Sequence, residues 1–161
     1  MPNPLEHLIM LGNPLLYERC KEVEPSETDD MREVADRMES VLLAFREKYQ
    51  AGRAIAAPQV GVLKRMIYWR VKEPVVMLNP VLSDLSEEMF SLWDDCMSFP
   101  NLLVRLKRHR YCTLRFRDLD WQEHEWQLAD DLSELIQHEY DHLDGILATM
   151  RAENPQDLRW R

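Results

Sequence analysis

Apolar residues recur at three- and four-residue steps in two stretches of this chain and alternate with polar ones in others. Met31, Val34, Met38, Val41, Leu42 and Phe45 fall on one face of a helix. That helix opens near Thr28-Asp29-Asp30, where acidic side chains suit the positive end of the helix dipole, and ends at Gly52. Its methionines read as core. A second helix carries Leu132, Leu135, Ile136 and Leu143, and Asp144-Gly145 stops it as a C-terminal glycine should. Arg65 to Arg70 and Val75 to Leu78 are rich in β-branched and aromatic residues and read as strands, bounded by Pro74 and Pro80. Cys112, Leu114 and Phe116 alternate with Tyr111, Thr113, Arg115 and Arg117. Across a turn at Asp118 to Trp121, His124, Trp126 and Leu128 alternate with Glu123, Glu125 and Gln127. This predicts an antiparallel hairpin with one wet face. Gly12 to Pro25 reads as loop. The order helix, strands, hairpin, helix defines an α+β protein, and 161 residues suit a single domain over 1–161.

Composition narrows the setting. Hydrophobic residues at 45% and charged residues at 30% are ordinary for a globular protein. No apolar run approaches the ~20 residues of a membrane helix, so no membrane partner is expected. The start, Met1 to His7, has neither the basic and apolar regions of a signal peptide nor the Arg/Ser richness of a transit peptide. A cytoplasmic location is expected. Three cysteines, Cys20, Cys96 and Cys112, fit a reducing compartment. A net charge of −9 disfavours nucleic acid as a partner. The one basic cluster, Lys107-Arg108-His109-Arg110, reads as a solvated loop or strand end.

The chemistry concentrates at His138-Glu139-Tyr140-Asp141-His142. On a helix the two histidines of this H-E-x-x-H motif lie one turn apart on one face, where both imidazoles can hold a single metal ion. Glu139 then stands beside the metal's water, placed to take its proton. A third ligand is needed, and Cys96, in the polar stretch Trp93 to Pro100, is the best thiolate available; a small apolar filler is its other reading. Gly52 to Gly61 combines small residues, Pro58 and Gln59 in a connection between helix and strand. Gln59 could direct an N–H at a substrate carbonyl oxygen; a turn-stabilising surface glutamine is the alternative. Cys112 and His124 fall on the hairpin's apolar face and read as structural, and His7 and His109 are isolated.

Three segments together, Gly52 to Gln59, Asp94 to Ser98 and Gln137 to Leu143, resemble in order the family motifs G-x-G-L-A-A-P-Q, E-G-C-L-S and Q-H-E-x-D-H-L of peptide deformylase. Similarity extends through Gly12-Asn13-Pro14-Leu15 and Val76 to Pro80. The resemblance implies antiparallel sheets packed around a central C-terminal helix that carries the motif. It implies that Cys96, His138 and His142 hold one divalent metal, usually Fe2+, with Zn2+, Ni2+ or Co2+ able to substitute. Glu139 would be general base and acid, and Gln59 and the Met97 backbone N–H would face the oxyanion. The implied substrate is an N-formylmethionyl peptide or nascent chain, met at the ribosome, and the product formate. Within the motifs, Arg53-Ala54 replaces an apolar residue and a glycine, Asp94-Asp95 replaces Glu-Gly, Met97 replaces Leu, and Asp130-Asp131 stands where glycine and an apolar residue are usual. Gly52, Arg53, Ala54 and Asp131 would border the pocket for the substrate's side chain. There Arg53 is expected to pair with Asp131 or Asp95, or to meet a polar substrate. Two other readings go with these changes: a metalloamidase of the same scaffold with a different N-formyl or N-acyl substrate, and a catalytically idle metal- or peptide-binding relative.

Overall fold

The structure is a computed structural model that describes residues 2–161. Helix α1 spans Thr28–Tyr49 and buries the predicted stripe from Met31 to Phe45. It stops three residues earlier than the glycine suggests, because Gln50 already adopts a left-handed conformation and its N–H returns to the Arg46 carbonyl. Gly52 is left-handed too, at φ +115°, and a Cβ there would lie 3.2 Å from Leu42 and 3.4 Å from Phe45. Glycine is thus required for the chain to turn back under α1.

Strands β1 (Ala54–Ala56), β2 (Met66–Trp69), β3 (Val75–Ser83), β6 (Tyr111–Arg117) and β7 (Glu123–Ala129) form one antiparallel sheet in that spatial order. Alternation assigns its two faces. Ile55, Met66, Tyr68 and Leu78 pack with α1, whereas Ala54, Ala56, Ile67, Trp69 and Met77 share a second core with Leu135, Ile136 and Leu143. Those last three belong to α2 (Asp130–Leu143), in which every residue from Ser133 to Leu143 except Tyr140 is buried. A helix covered on nearly all sides is the interior of the fold. The β6–β7 hairpin pairs Cys112 with Leu128, Leu114 with Trp126 and Phe116 with His124, in the register that alternation predicts.

Two expectations need correction here. The stretch 52–61 is not only a connection: it holds β1 and a turn of 3-10 helix over Ala57–Val60. Pro80 does not end its strand, because the ladder shifts register between Leu78 and Val81, with Asn79 at φ +51°, and continues to Ser83.

A second sheet places β5 (Phe99–His109) between β4 (Met89–Cys96) and β8 (Leu158–Trp160). The turn between β4 and β5 is Met97-Ser98, so Cys96 ends a strand at a tight corner. The cluster 107–110 departs from the solvated reading. Lys107 points out, but Arg108 is a buried position at the end of β5, 2% exposed. α2 is tied to this sheet by Gln137, whose Oε1 accepts from the His109 N–H and whose Nε2 donates to the His109 carbonyl. At the other end, Arg65 donates to the Leu143 carbonyl and to Asp144, answering carbonyls the last turn leaves open. Gly145, at φ +73°, lets the Tyr17 carbonyl approach to within 2.5 Å of where a Cβ would sit.

Candidate active site

Helical spacing puts His138 and His142 on one face of α2, and the β4–β5 corner brings Cys96 against them. Their potential ligand atoms lie within 4.8 Å of one another, all on buried residues. The Cys96 Sγ is 3.4 Å from His142 Nε2 and 3.6 Å from Gln59 Nε2. His138 presents its Nδ1 to Asp94 Oδ2 at 2.8 Å, which orients the ring and leaves Nε2 for the cluster. This carboxylate backing is what a metal-ligating imidazole uses to fix its tautomer. Burial disfavours charge on His138, yet the adjacent Asp94 carboxylate and Cys96 sulfur together outweigh it and hold the imidazole pKa well above its ordinary value. Burial and the neighbouring His138 push His142 well below its own, so it keeps a free lone pair. A divalent cation fits this set: one cysteine sulfur, one neutral imidazole and a second imidazole whose proton a cation would displace.

Asp94 is itself held from behind. Burial would raise its pKa, but His138 and Arg108 keep it at about 2. Arg108 Nη2 lies 3.2 Å from Asp94, and its Nη1 lies 2.7 Å from Asp141, one residue before His142. Arg151 completes the chain with two bonds to Asp141, of 2.7 and 2.8 Å. Sequence reasoning overlooked Arg108, Asp141, Arg151 and Asp94 as partners of the site. The available signal was period two: Val104, Leu106 and Arg108 all point inward, so a charge at 108 had to find a buried partner.

Gln59 is 1% exposed. The Ala56 N–H occupies its Oε1 at 3.0 Å, so its amide nitrogen must face Ser98 Oγ, at 3.0 Å, and Cys96. Ser98 in turn donates to the Ile9 carbonyl. The glutamine is therefore a fixed donor inside the site, not a surface turn residue. Glu139 is 3% exposed with Oε1 bonded to nothing in the protein, and burial raises its carboxyl to about 7. That value belongs to a site without a cation; positive charge beside it brings the carboxyl down again.

A cavity of ≈ 270 Å³ opens beside these groups, bordered among others by Gly52, Arg53, Ala54, Gln59, Cys96, Met97, Glu134 and Glu139. Arg53 pairs with Asp131 at 3.5 Å, as expected, but its shorter bond, 2.8 Å, is to Glu134, which lies outside the family motifs. Asp131 is 75% exposed and does not border the cavity. Asp95 pairs with Arg161 instead of Arg53. Cys112 and His124 lie away from the cluster: Cys112 is buried beside Ser133, and His124 stacks on Phe116 and contacts Asp118.

A buried cysteine sulfur and two imidazoles around one point, with an unpartnered carboxylate and a fixed amide donor at its edge, define the class of metal-dependent hydrolases. Residues 5–157 match the model of the polypeptide deformylase family, and the chain belongs to that family, metal-dependent hydrolases that remove the formyl group from formyl-methionyl peptides. The peptide deformylase of Thermosynechococcus vestitus is 33% identical over 99% of this chain and 85% of its own length. Among solved structures, the peptide deformylase of Synechococcus elongatus in complex with actinonin superposes with a TM-score of 0.84 at 27% identity, covering 93% of this chain and 80% of that one. The peptide deformylase of Thermotoga maritima gives 0.82 at 26% identity, covering 91% and 97%. No helix among the described residues is long and apolar enough to cross a membrane.

Proposed function

We propose that Cys96, His138 and His142 hold one divalent cation, Fe2+ by preference with Zn2+, Ni2+ or Co2+ as substitutes, and that this chain deformylates the N-terminus of newly made peptides. The observation that carries the reading is the convergence of those three donors on one buried point with the free Glu139 oxygen beside them. When bound, the cation supplies Lewis acidity, lowering the pKa of a water from ~15.7 towards ~7. Glu139 takes a proton from the attacking water as its oxygen adds to the formyl carbon. Gln59 Nε2 and the Met97 backbone N–H donate to the formyl oxygen as it becomes an oxyanion. The formyl C–N bond then breaks, Glu139 returns its proton to the amine nitrogen, and formate leaves. Asp94 keeps the His138 ring in place throughout. Gly52, Arg53 and Ala54 border the space for the first residue's side chain, with Asp131 acting on it through Arg53.

The cytoplasm, where nascent chains emerge, is the setting this reading requires. Any contact at the ribosome would form through protein surfaces, since a charge of −9 repels rRNA phosphates. The test is formate release from a formyl peptide by metal-loaded protein, wild type against Glu139→Ala. The variant should keep its metal and lose at least ~10³-fold in rate, as removal of a base from a concerted site does. Normal turnover by the variant would refute the role of Glu139.

A further inference from the structure

A second cavity lies behind α2, and the proposed chemistry leaves it unused. Gln137, Tyr140, Asp141 and Asp144 follow one another at three- and four-residue steps, so they share one flank of the helix. Tyr140 stands opposite His138 and His142, and it is the one residue from Ser133 to Leu143 that is not buried. The space that this flank borders measures ≈ 330 Å³, larger than the ≈ 270 Å³ beside Cys96. That falls within the ~300–1,000 Å³ of small-molecule sites.

Two kinds of surface meet there. Leu82, Leu85, Met89 and Ile146 supply apolar wall, and Leu85 and Met89 stay 45% and 42% exposed, an apolar rim without cover. Lys107, Arg108 and Arg151 supply donors in excess of the acceptors at hand. Lys107 comes no nearer to a carboxylate than 3.8 Å, from Glu153. Arg151 spends Nε and Nη2 on Asp141 and keeps Nη1, and Arg108 Nε is buried with no acceptor among the described residues. The two carboxylates on the cavity are already answered, Asp141 by Arg108 and Arg151 and Asp144 by Arg65. Positive charge is therefore in local surplus, in a chain whose net charge is −9. We propose that this cavity binds a small carboxylate carried on an apolar chain. The carboxylate accepts from Lys107 Nζ and Arg151 Nη1, in the field of the buried Arg108, and the chain covers Leu85 and Met89. Asp141 and Asp144 beside it favour a single negative charge over the double charge of a phosphate.

Octanoate, octanamide and acetate separate the contributions, giving charge with chain, chain alone and charge alone. Titrated calorimetrically into zinc-loaded protein, octanoate should bind about tenfold tighter than either of the others. Lys107→Met should weaken octanoate about fivefold and leave octanamide unchanged, the exposure of Lys107 keeping the loss modest. Because a carboxylate can also seek a cation at Cys96, intermolecular NOEs read the location. Contacts from the octanoate chain to the Leu85 and Met89 side chains and the Tyr140 ring support the site. Contacts confined to Met97 and Leu135, in the other cavity, overturn it. So do an absence of binding, equal affinity for octanamide, and a Lys107→Met variant that binds octanoate as the wild type does.

Discussion

Arg108 and Arg53 each sit between two carboxylates, and they do different things. Arg108 joins Asp94 to Asp141 with all three side chains under 10% exposed. Arg53 joins Glu134 to Asp131 with exposures of 41, 9 and 75%. Inside the protein a pair cannot part without leaving a charge stranded in low dielectric, so the Arg108 network fixes position and carries His138 with it. At the cavity mouth water can take over when Arg53 moves, so that pair can adapt to what enters. The same residue types thus give a rigid frame behind His138 and a responsive wall at the cavity mouth.

The largest effect is expected from breaking the buried side. Arg108→Met leaves Asp94 with His138 as its one partner and Asp141 with Arg151 as its one partner, and should cost about 3–5 kcal/mol in urea unfolding. Acid probes the same network. With its folded pKa at about 2, below the ordinary 3.8, Asp94 stabilises the fold fully above about pH 4. That contribution drains as pH falls from 3.8 towards 2, so the denaturation midpoint of metal-free protein should drop through this window, and the drop should shrink in Asp94→Asn.

Asp94→Asn should act next most strongly, on the metal: weaker orientation of His138 lowers affinity about 10–100-fold in a chelator competition. Arg53→Met should cost under about 1 kcal/mol in the same urea assay. Burial, and secondarily the charge of Asp94, already raise the pKa of Glu134, so on losing its partner it can take up a proton. A loss as large as that of Arg108→Met would erase the contrast between the two pairs.

Much of this was legible in the chain, for reasons that also explain the gaps. Helices α1 and α2 and the β6–β7 hairpin were readable because their inward positions are apolar and keep period. The β4–β5 hairpin was hidden because two of its inward positions, Asp94 and Arg108, are charged and break the hydrophobic pattern. Period two through Val104 and Leu106 marks position 108 as inward, but which carboxylate answers its charge is written in the fold alone. His138, His142 and Glu139 were legible because four-residue spacing on a helix is local geometry. Glu134 was not, since pairing between residues 81 apart is written in the fold alone. β8 was missed as well: Leu158, Arg159 and Trp160 are all exposed, so no apolar face announces the strand.

The proposed centre joins one sulfur from the β4–β5 corner to two imidazoles from α2. X-ray absorption at the metal edge, on protein purified without oxygen, reads that set directly. A zinc-loaded sample should show one sulfur at ~2.3 Å and two imidazole nitrogens at ~2.0–2.1 Å, with the sulfur lost in Cys96→Ser. A first shell of nitrogen and oxygen alone in the wild type would contradict it.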